Sequence, residues 1–354
     1  MSNKQIIIKE MKAAILAELH QDLVVDTIQL PSTLTYGQVL VKVLYSSICG
    51  SQIGEIDGAK GEDKYLPHLL GHEGSGEVLE IGPGVQTVMK GDHVVLHWKK
   101  GSGIDAQMPK YKWKGRCLNA GAITSFNEYA VISENRLTSI PKDFDSQHAA
   151  LLGCAVLTGL GVITNDAQVK IGESIVALGA GGVGLNVIQG ASMVSAHPII
   201  AVDLYDKKLE LARSFGATHT LNAKNTDVKK EIMNILGSDG ADVIVENTGN
   251  VDLIEMAYEL TKPQGRTILV GVPKHGQKAS LYTLPVHFGK ILSGSHGGEA
   301  KPEKDIPRYI NLVNAGKLQL DGLITHHFDF NDINLAIRQM KAGEVTGRCM
   351  LKMC

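Results

Sequence analysis

GESIVALGAGGVGLNVIQGASM, residues 172–193, is the stretch that decides the fold. It begins with an apolar, β-branched run, turns through several glycines, and continues as a predicted helix. Gly179, Gly181 and Gly184 match the pattern G-x-G-x-x-G, which joins a strand to a helix in dinucleotide-binding units. These glycines permit a tight turn, close approach to a pyrophosphate, and close packing of helix on strand. The helix N-terminus then offers free N–H groups and a positive dipole end to phosphate.

An acidic residue stands where this unit requires one, at the end of the next apolar run, IIAVD. Asp203 can accept hydrogen bonds from both ribose hydroxyls and would repel a 2′-phosphate. Two like charges 4 Å apart cost about 4 kcal/mol at an effective dielectric near 20. The sequence therefore favours NAD over NADP. A glycine turn that only packs a helix is the alternative, and the full strand–turn–helix–Asp unit argues against it.

The rest of the chain shows two kinds of sequence pattern. Strand-like and helix-like segments alternate after the glycine turn, in PIIAVDL, DKKLELARSFGA, ADVIVENTG, NVDLIEMAYELTK and GRTILVGV. This alternation predicts an α/β fold with a doubly wound parallel sheet. Residues 11–145 instead resemble short strands and turns, with a long surface loop predicted over residues 97–125.

Composition argues against several classes of protein, namely those that bind nucleic acid, span a membrane or depend on disulfides. The 354 residues suffice for about two domains, and 44% hydrophobic content allows a large core. A net charge of −2 indicates no general attraction to nucleic acid or anionic membrane. No apolar run approaches the roughly 18–20 residues of a membrane span, and we expect no signal peptide. Five cysteines without close pairs predict a reducing, cytoplasmic setting rather than disulfides.

A second glycine-rich stretch, LLGHEGSGEV at residues 69–78, carries His72 and Glu73 where a phosphate turn would need only backbone. Cys49 lies in SSICGSQ and Cys154 in LLGCAVLTG. Each of these side chains alone is more often structural than functional. Two thiols and one imidazole also match a catalytic zinc site, which uses three protein ligands and an open position. Their long separations in sequence leave a shared site undecided.

The chain resembles the zinc-dependent alcohol dehydrogenases of the medium-chain dehydrogenase/reductase superfamily. The resemblance follows the family's order along nearly the whole chain, in SSICGSQ, GHEGSGEVLEIGPGV, LLGCAVLTGLGV, GESIVALGAGGVGLNVIQGA, AVDLYDKKLELARSFGAT and GRCMLK. It implies a GroES-like, partly open β-barrel catalytic domain over residues 1–154. A Rossmann-like NAD-binding domain would span residues 155–297, and residues 298–354 would return to the catalytic domain.

Site residues follow from this resemblance position by position. It implies one catalytic zinc ion on Cys49, His72 and Cys154, with Glu73 beside the site and Ser51 taking the substrate proton. It implies NAD contacts from Gly179, Gly181, Gly182, Val183, Gly184, Asp203, Lys208, Thr248, Val272 and Arg348, the last of these at the pyrophosphate. Cys154 in the third ligand position favours the alcohol dehydrogenase branch over the polyol dehydrogenases, which have glutamate there.

The sequence also departs from the family. Many members bind a second, structural zinc ion through four cysteines in a lobe, and the corresponding residues 97–121 contain only Cys117. We therefore expect one zinc ion per chain and a lobe held by packing of Trp98, Tyr111 and Trp113. Gln52 replaces an Asp that commonly supports the zinc-binding His, so we expect a neutral amide to orient that ring.

The predicted activity is hydride transfer between NAD and a primary, aryl or sugar-like alcohol, which gives an aldehyde or ketone. His97, Trp98 and His296 are expected near the substrate. A zinc-free quinone or enoyl reductase and a non-catalytic NAD-binding protein are the alternatives, and the filled ligand positions argue against both. The predicted partners are a small alcohol or carbonyl compound and further copies of the chain, as a homodimer or homotetramer, with neither nucleic acid nor membrane.

Overall fold

The computed structural model describes residues 4–353 and divides the chain into two compact units. The first unit comprises the chain up to Cys154, Lys301–Ala315, and the chain from Ile324 onward. The second comprises Ala155–Ala300 and Gly316–Leu323. None of the helices within residues 4–353 has the length and apolarity that a membrane span requires. The domain boundaries drawn from the sequence stay predictions.

The amino-terminal part of the first unit is built mainly of strands. Its elements are β1 (Lys4–Gln5), β2 (Glu10–Leu16), β3 (Val24–Gln29), β4 (Thr33–Leu34), β5 (Gln38–Ile48), α1 (Gly50–Ile56), β6 (His68–Leu69), β7 (Glu73–Ile81), β8 (His93–His97), β9 (Tyr111–Trp113), β10 (Arg116–Leu118), β11 (Tyr129–Ser133), β12 (Leu137–Ile140) and α2 (Ser146–Leu151). Strands β10-β9-β3-β2-β6 form one sheet in that order. The central strand of a larger sheet is β5, which pairs antiparallel with both β7 and β11.

One hairpin lies inside the segment that the sequence predicted to be a loop. Strands β9 and β10 pair antiparallel, with Trp113 opposite Arg116. Lys114 and Gly115 connect them with φ values of 49° and 75°. Two consecutive residues with positive φ make the tight turn whose twist suits a hairpin. The loop prediction was wrong for these residues, because a Lys-Gly pair is a weaker hairpin signal than Asn-Gly or Asp-Gly.

The second unit alternates helices and strands, as the glycine turn predicted. Its elements are α3 (Ala155–Gly161), β13 (Ile175–Leu178), α4 (Gly182–Met193), β14 (Ile199–Asp203), α5 (Asp206–Ser214), β15 (His219–Asn222), α6 (Val228–Leu236), β16 (Ala241–Glu246), α7 (Val251–Leu260), β17 (Thr261–Leu269) and β18 (Ile291–Gly294). All strand pairs in its sheet are parallel, in the order β15-β14-β13-β16-β17-β18. This order reverses between β13 and β16, which confirms the predicted doubly wound sheet.

The carboxyl-terminal segment completes the first unit with α8 (Pro302–Asn314), β19 (Ile324–Asp329), α9 (Ile333–Ala342) and β20 (Arg348–Lys352). Strand β20 pairs antiparallel with β5, and Cys349 lies opposite Ile48. This pairing brings the start of β20 next to the end of β5, where Cys49 follows. Buried side chains from β5, β7, β8, α9 and β20 form one apolar core that fixes these strands.

Candidate metal centre and dinucleotide turn

Three separate segments of the first unit bring the predicted zinc ligands together. Cys49 directly follows β5 at the start of α1, His72 directly precedes β7, and Cys154 lies three residues beyond α2. One ligand atom from each of Cys49, His72, Glu73 and Cys154 lies within 4.8 Å of all the others. Two sulfurs, an imidazole nitrogen and a nearby carboxylate are a donor set that suits zinc.

The position of His72 depends on the glycine before it. Gly71 has φ of 94°, in the left-handed region, and a Cβ there would lie 2.6 Å from the backbone nitrogen of Phe126. Only glycine fits this turn. Nε2 of His72 is buried, and no residue within 4–353 gives it a hydrogen-bond partner. A buried nitrogen without a partner next to two thiols fits a metal ligand, because coordination supplies the missing interaction.

The local charges favour the metal-binding form of Cys49. A hydrogen bond with the Cys154 thiol, followed by the neighbouring His72 ring and the charge of Arg348, lowers the pKa of Cys49 well below its usual value. Burial opposes this shift without reversing it. Because the thiolate is the form that binds metal, the residues present fit a zinc ion.

Glu73 and Arg348 form an ion pair at the metal centre. Glu73 is fully buried and Arg348 is 4% exposed, so each charge is compensated by the other rather than by water. Ser46 also donates a hydrogen bond to the backbone carbonyl of Glu73, with an Oγ to O distance of 2.9 Å, and thereby fixes the start of β7. The structure places Arg348 beside Glu73 in the first unit. Its contact with the pyrophosphate stays a prediction.

Gln52 contacts Cys49 rather than His72, the ligand that we expected it to support. Its Oε1 accepts a hydrogen bond from the backbone N–H of Cys49 at 2.8 Å, whereas the sequence predicted that its amide orients the zinc-binding histidine. The physical reason is the free N–H groups at the start of α1, which a buried side-chain oxygen can cap. Ser51, on the first turn of the same helix, is exposed, and its proton-accepting role stays a prediction.

His97 is structural rather than part of the substrate pocket. It is fully buried, its Nδ1 donates to the carbonyl of Lys99 at 2.7 Å, and its Nε2 accepts from Thr138 Oγ1 at 3.0 Å. Burial lowers the pKa of His97 to about 4, so the ring is neutral near pH 7. The expectation that it flanks the substrate was wrong, because a strand sequence alone does not tell which face is covered.

Two aromatic side chains anchor the lobe that lacks the four cysteines. Tyr111 is fully buried, and its hydroxyl oxygen accepts a hydrogen bond from the backbone N–H of Val131 at 2.8 Å. Trp113 donates from Nε1 to Asp26 Oδ2 at 2.8 Å. Trp98 is half-buried, and Cys117 is an exposed free thiol.

The glycine turn of the second unit has the shape that a phosphate site requires. A Cβ on Gly184 would collide with the carbonyl oxygen of Gly179, which itself has φ of 91°. A Cβ on Gly181, by contrast, would meet no atom within 4 Å, so the space beside it is open. Helix α4 begins at Gly182 and Val183, and its first N–H groups face this end of the sheet. The turn therefore fits a pyrophosphate.

Asp203 ends β14 and is held by the backbone around it. Its Oδ2 accepts from the N–H of Ala180 at 2.9 Å, and its Oδ1 accepts from the N–H of Leu204 at 2.7 Å. Lys208 and Lys224 place their ammonium groups 5.2 and 4.3 Å from the ring centre of Tyr205. The resemblance implied an NAD contact for Lys208, which stays a prediction, and did not indicate that Lys224 shares the Tyr205 ring with it.

Thr248 and Val272 follow β16 and β17, at the same carboxyl edge of the sheet as the glycine turn. Ligands bind at this edge in doubly wound sheets. The fully buried carboxylate of Glu246 accepts a hydrogen bond from the N–H of Thr248 at 2.6 Å, a support that the sequence did not indicate. Val272 is 78% exposed, and His296 is exposed in the loop after β18. The cofactor contacts of Thr248 and Val272 stay predictions.

Family models match both parts of the chain. Residues 35–142 match the model described as alcohol dehydrogenase GroES-like domain, which confirms the expected GroES-like fold. Residues 182–315 match the model described as zinc-binding dehydrogenase.

Known proteins resemble the chain over nearly its whole length. An S-(hydroxymethyl)glutathione dehydrogenase from Paracoccus denitrificans is 33% identical, over 87% of this chain and 91% of the relative. Among solved structures, benzyl alcohol dehydrogenase from Acinetobacter calcoaceticus has a TM-score of 0.87 and 29% identity, over 98% of this chain and 100% of the other. An alcohol dehydrogenase zinc-binding domain protein from Burkholderia ambifaria has a TM-score of 0.88 and 28% identity, over 98% and 99%.

Proposed function

The chain belongs to the zinc-dependent alcohol dehydrogenases of the medium-chain dehydrogenase/reductase superfamily, and we propose that Cys49, His72 and Cys154 hold its catalytic zinc ion. It is an NAD-dependent oxidoreductase of alcohols. The observation that carries the proposal is the cluster of ligand atoms within 4.8 Å, with His72 Nε2 left without a partner. A zinc-free reductase is not favoured, because such a protein has no use for this donor set.

A zinc ion bound here supplies a Lewis acid that polarises the oxygen of an alcohol or carbonyl group. The two thiolates of Cys49 and Cys154 balance its double positive charge. Arg348 neutralises the carboxylate of Glu73, so this acidic side chain does not make the site strongly negative. Ser51 lies two residues from Cys49 and is exposed, which suits a hydroxyl that takes the substrate proton and passes it toward solvent.

The glycine turn and Asp203 bind NAD in the second unit. The N–H groups at the start of α4 hold the pyrophosphate, and the open space at Gly181 admits it. Asp203 accepts hydrogen bonds from the ribose hydroxyls and repels a 2′-phosphate. Its two backbone hydrogen bonds hold the carboxylate in place, which favours NAD over NADP.

We infer a single tightly bound zinc ion per chain. The lobe over residues 97–121 has one cysteine, and one thiolate cannot replace a Cys₄ site. The hydrogen bond from Trp113 to Asp26 and the buried Tyr111 give this lobe an alternative anchor.

The relatives narrow the substrate class. Both S-(hydroxymethyl)glutathione and benzyl alcohol, in the names of two relatives, carry a CH₂OH group on a larger body. We therefore propose a primary alcohol with a bulky or aryl substituent, and rank sugar-like alcohols below it. NAD reduction with a panel of primary, aryl and polyol alcohols tests this. We expect turnover with primary or aryl alcohols, its loss under a chelator, and its return with zinc. Turnover that survives complete zinc removal contradicts the proposal.

We also propose assembly through the edge of the second unit's sheet. Strand β18 is an edge strand, and large apolar side chains within it and in the segment that precedes it are exposed. Tyr282 is 70%, Phe288 69% and Ile291 47% exposed. A second copy that pairs here would cover both the apolar side chains and the open strand edge. We also propose a cytoplasmic location, because five cysteines without close pairs in sequence suit a reducing compartment.

A further inference from the structure

A second group of metal-binding side chains lies in the first unit, outside the site already described. Glu55 lies in the last turn of α1, Asp63 lies in the following loop, and His68 begins β6. One ligand atom from each lies within 4.8 Å of the other two. The group is not only acidic, since His68 contributes an imidazole and is only 8% exposed.

Both ring nitrogens of His68 face oxygen atoms of the protein. Nδ1 lies 3.0 Å from the carbonyl oxygen of Leu69, and a carbonyl can only accept, so Nδ1 carries a proton. Nε2 lies 2.8 Å from Asp63 Oδ2, which as a carboxylate oxygen is also only an acceptor. A neutral ring would therefore direct a lone pair at a carboxylate. A second proton on the ring satisfies this contact, and so does a metal ion that both atoms coordinate after a small separation.

We propose that Glu55, Asp63 and His68 bind a divalent transition-metal ion, with Zn²⁺ as the best fit. Bonds of about 2.0–2.2 Å in a tetrahedral site place neighbouring donor atoms about 3.3–3.6 Å apart. The present separations, from 2.8 Å to at most 4.8 Å, bracket this spacing, so small side-chain shifts are sufficient. A carbonyl bonded to Nδ1 is also the arrangement that orients histidine ligands in metal sites.

Lys60 competes with the ion for this site. Its ammonium lies 3.5 Å from Glu55 Oε2, and its side chain is 66% exposed. An exposed lysine can move into solvent at little cost, so it weakens metal binding without blocking it. The site therefore binds its ion reversibly and more weakly than Cys49, His72 and Cys154 bind theirs.

The bound ion would connect two segments that carry catalytic zinc ligands. Glu55 lies on α1, which begins directly after Cys49, and His68 lies on the strand that leads to His72. An ion across Glu55, Asp63 and His68 would restrain the loop over residues 57–67 that joins them. This role adds to the proposed function and does not rest on it.

Calorimetric titration of Zn²⁺ into the protein tests the site. The starting protein retains its tightly bound zinc, which is counted beforehand, after dialysis against a weak chelator. We expect one further equivalent per chain in the wild type. His68→Gln should weaken that step at least about tenfold, because even outer-shell partners of a metal contribute 10–100-fold. Lys60→Ala should tighten it about two- to fivefold. Glu62→Gln removes an exposed carboxylate of the same loop from outside the group and should change nothing.

Circular dichroism checks that each variant is folded, and Asp63→Asn replaces His68→Gln if the latter does not fold. The absence of a further equivalent in the wild type would overturn the proposal. Equal affinity in the wild type and the folded ligand variant would also overturn it, because the ion would then bind elsewhere. The initial zinc count keeps this outcome distinct from failure of the catalytic site.

Discussion

The carboxylate of Asp203 accepts a hydrogen bond from the backbone N–H of Ala180, with an Oδ2 to N distance of 2.9 Å. This bond joins the end of β14 to the glycine turn after β13. The residue that we propose to bind the ribose is thus hydrogen-bonded to the loop that we propose to bind the pyrophosphate. In this proposal the preference for NAD comes from a carboxylate that the backbone holds in place.

Replacing Asp203 with serine should move the enzyme toward NADP. The change removes a repulsion worth up to about 4 kcal/mol, so we expect the ratio of kcat/KM for NADP to that for NAD to rise about 100- to 1000-fold. Steady-state kinetics with both cofactors measures it. Asp239→Ser, at an exposed position in the same unit, is the control. An unchanged ratio in Asp203→Ser would show that other groups select the cofactor.

The Glu73–Arg348 pair should stabilise the first unit only as a pair. Glu73→Gln leaves the buried Arg348 charge without compensation, and we expect a loss of about 3–5 kcal/mol in the free energy of unfolding. Urea unfolding should show that Glu73→Gln/Arg348→Met loses clearly less than the sum of the two single variants. Strict additivity would mean that the two side chains do not interact.

His97 should make stability fall in mild acid. Its pKa is about 4 when folded, against about 6.5 in an unfolded chain, so between these values only the unfolded chain takes up the proton. Its contribution is complete above pH 6.5 and is lost as the pH falls toward 4. We expect about 2 kcal/mol of the stability difference between pH 7 and pH 5 to disappear in His97→Gln. Urea unfolding at both pH values measures this, with His275→Gln as an exposed control. An unchanged pH dependence in His97→Gln would refute the assignment.

The exposed side chains beside β18 should hold copies of the chain together. Phe288→Glu places a charge in this apolar surface, and we expect it to convert the oligomer to a smaller species. Sedimentation velocity measures the mass. Ile171→Glu is the matched control, because Ile171 is even more exposed, at 85%, in the same unit. If both variants keep the wild-type mass, the assembly uses another surface.

The sequence predicted the second unit well because its signals are local. Gly179, Gly181 and Gly184 follow a strand and precede a helix, and the observed sheet has the expected strand order. Local signals could not predict the metal centre, since Cys49, His72 and Cys154 come from three distant segments. Only the family resemblance suggested that they meet.

Contacts that depend on tertiary pairing were missed. The resemblance implied that residues 298–354 return to the catalytic domain, but it did not indicate that β20 pairs with β5, and hence that Arg348 lies against Glu73. Gln52 was interpreted from the sequence as a support for His72, whereas its side chain caps the backbone N–H of Cys49. A polar residue beside a metal ligand can take either role, so the sequence did not distinguish them. The group of Glu55, Asp63 and His68 has no regular spacing, so only the folded loop brings it together.

The central claim is that Cys49, His72 and Cys154 hold the zinc ion on which turnover depends. Its most direct test measures tightly bound zinc per chain together with NAD-linked alcohol oxidation, in the wild type, Cys49→Ala and the control Cys117→Ala. We predict one zinc ion and full activity in the wild type and in Cys117→Ala, and neither in Cys49→Ala. Full activity in a metal-free Cys49→Ala protein would contradict the account.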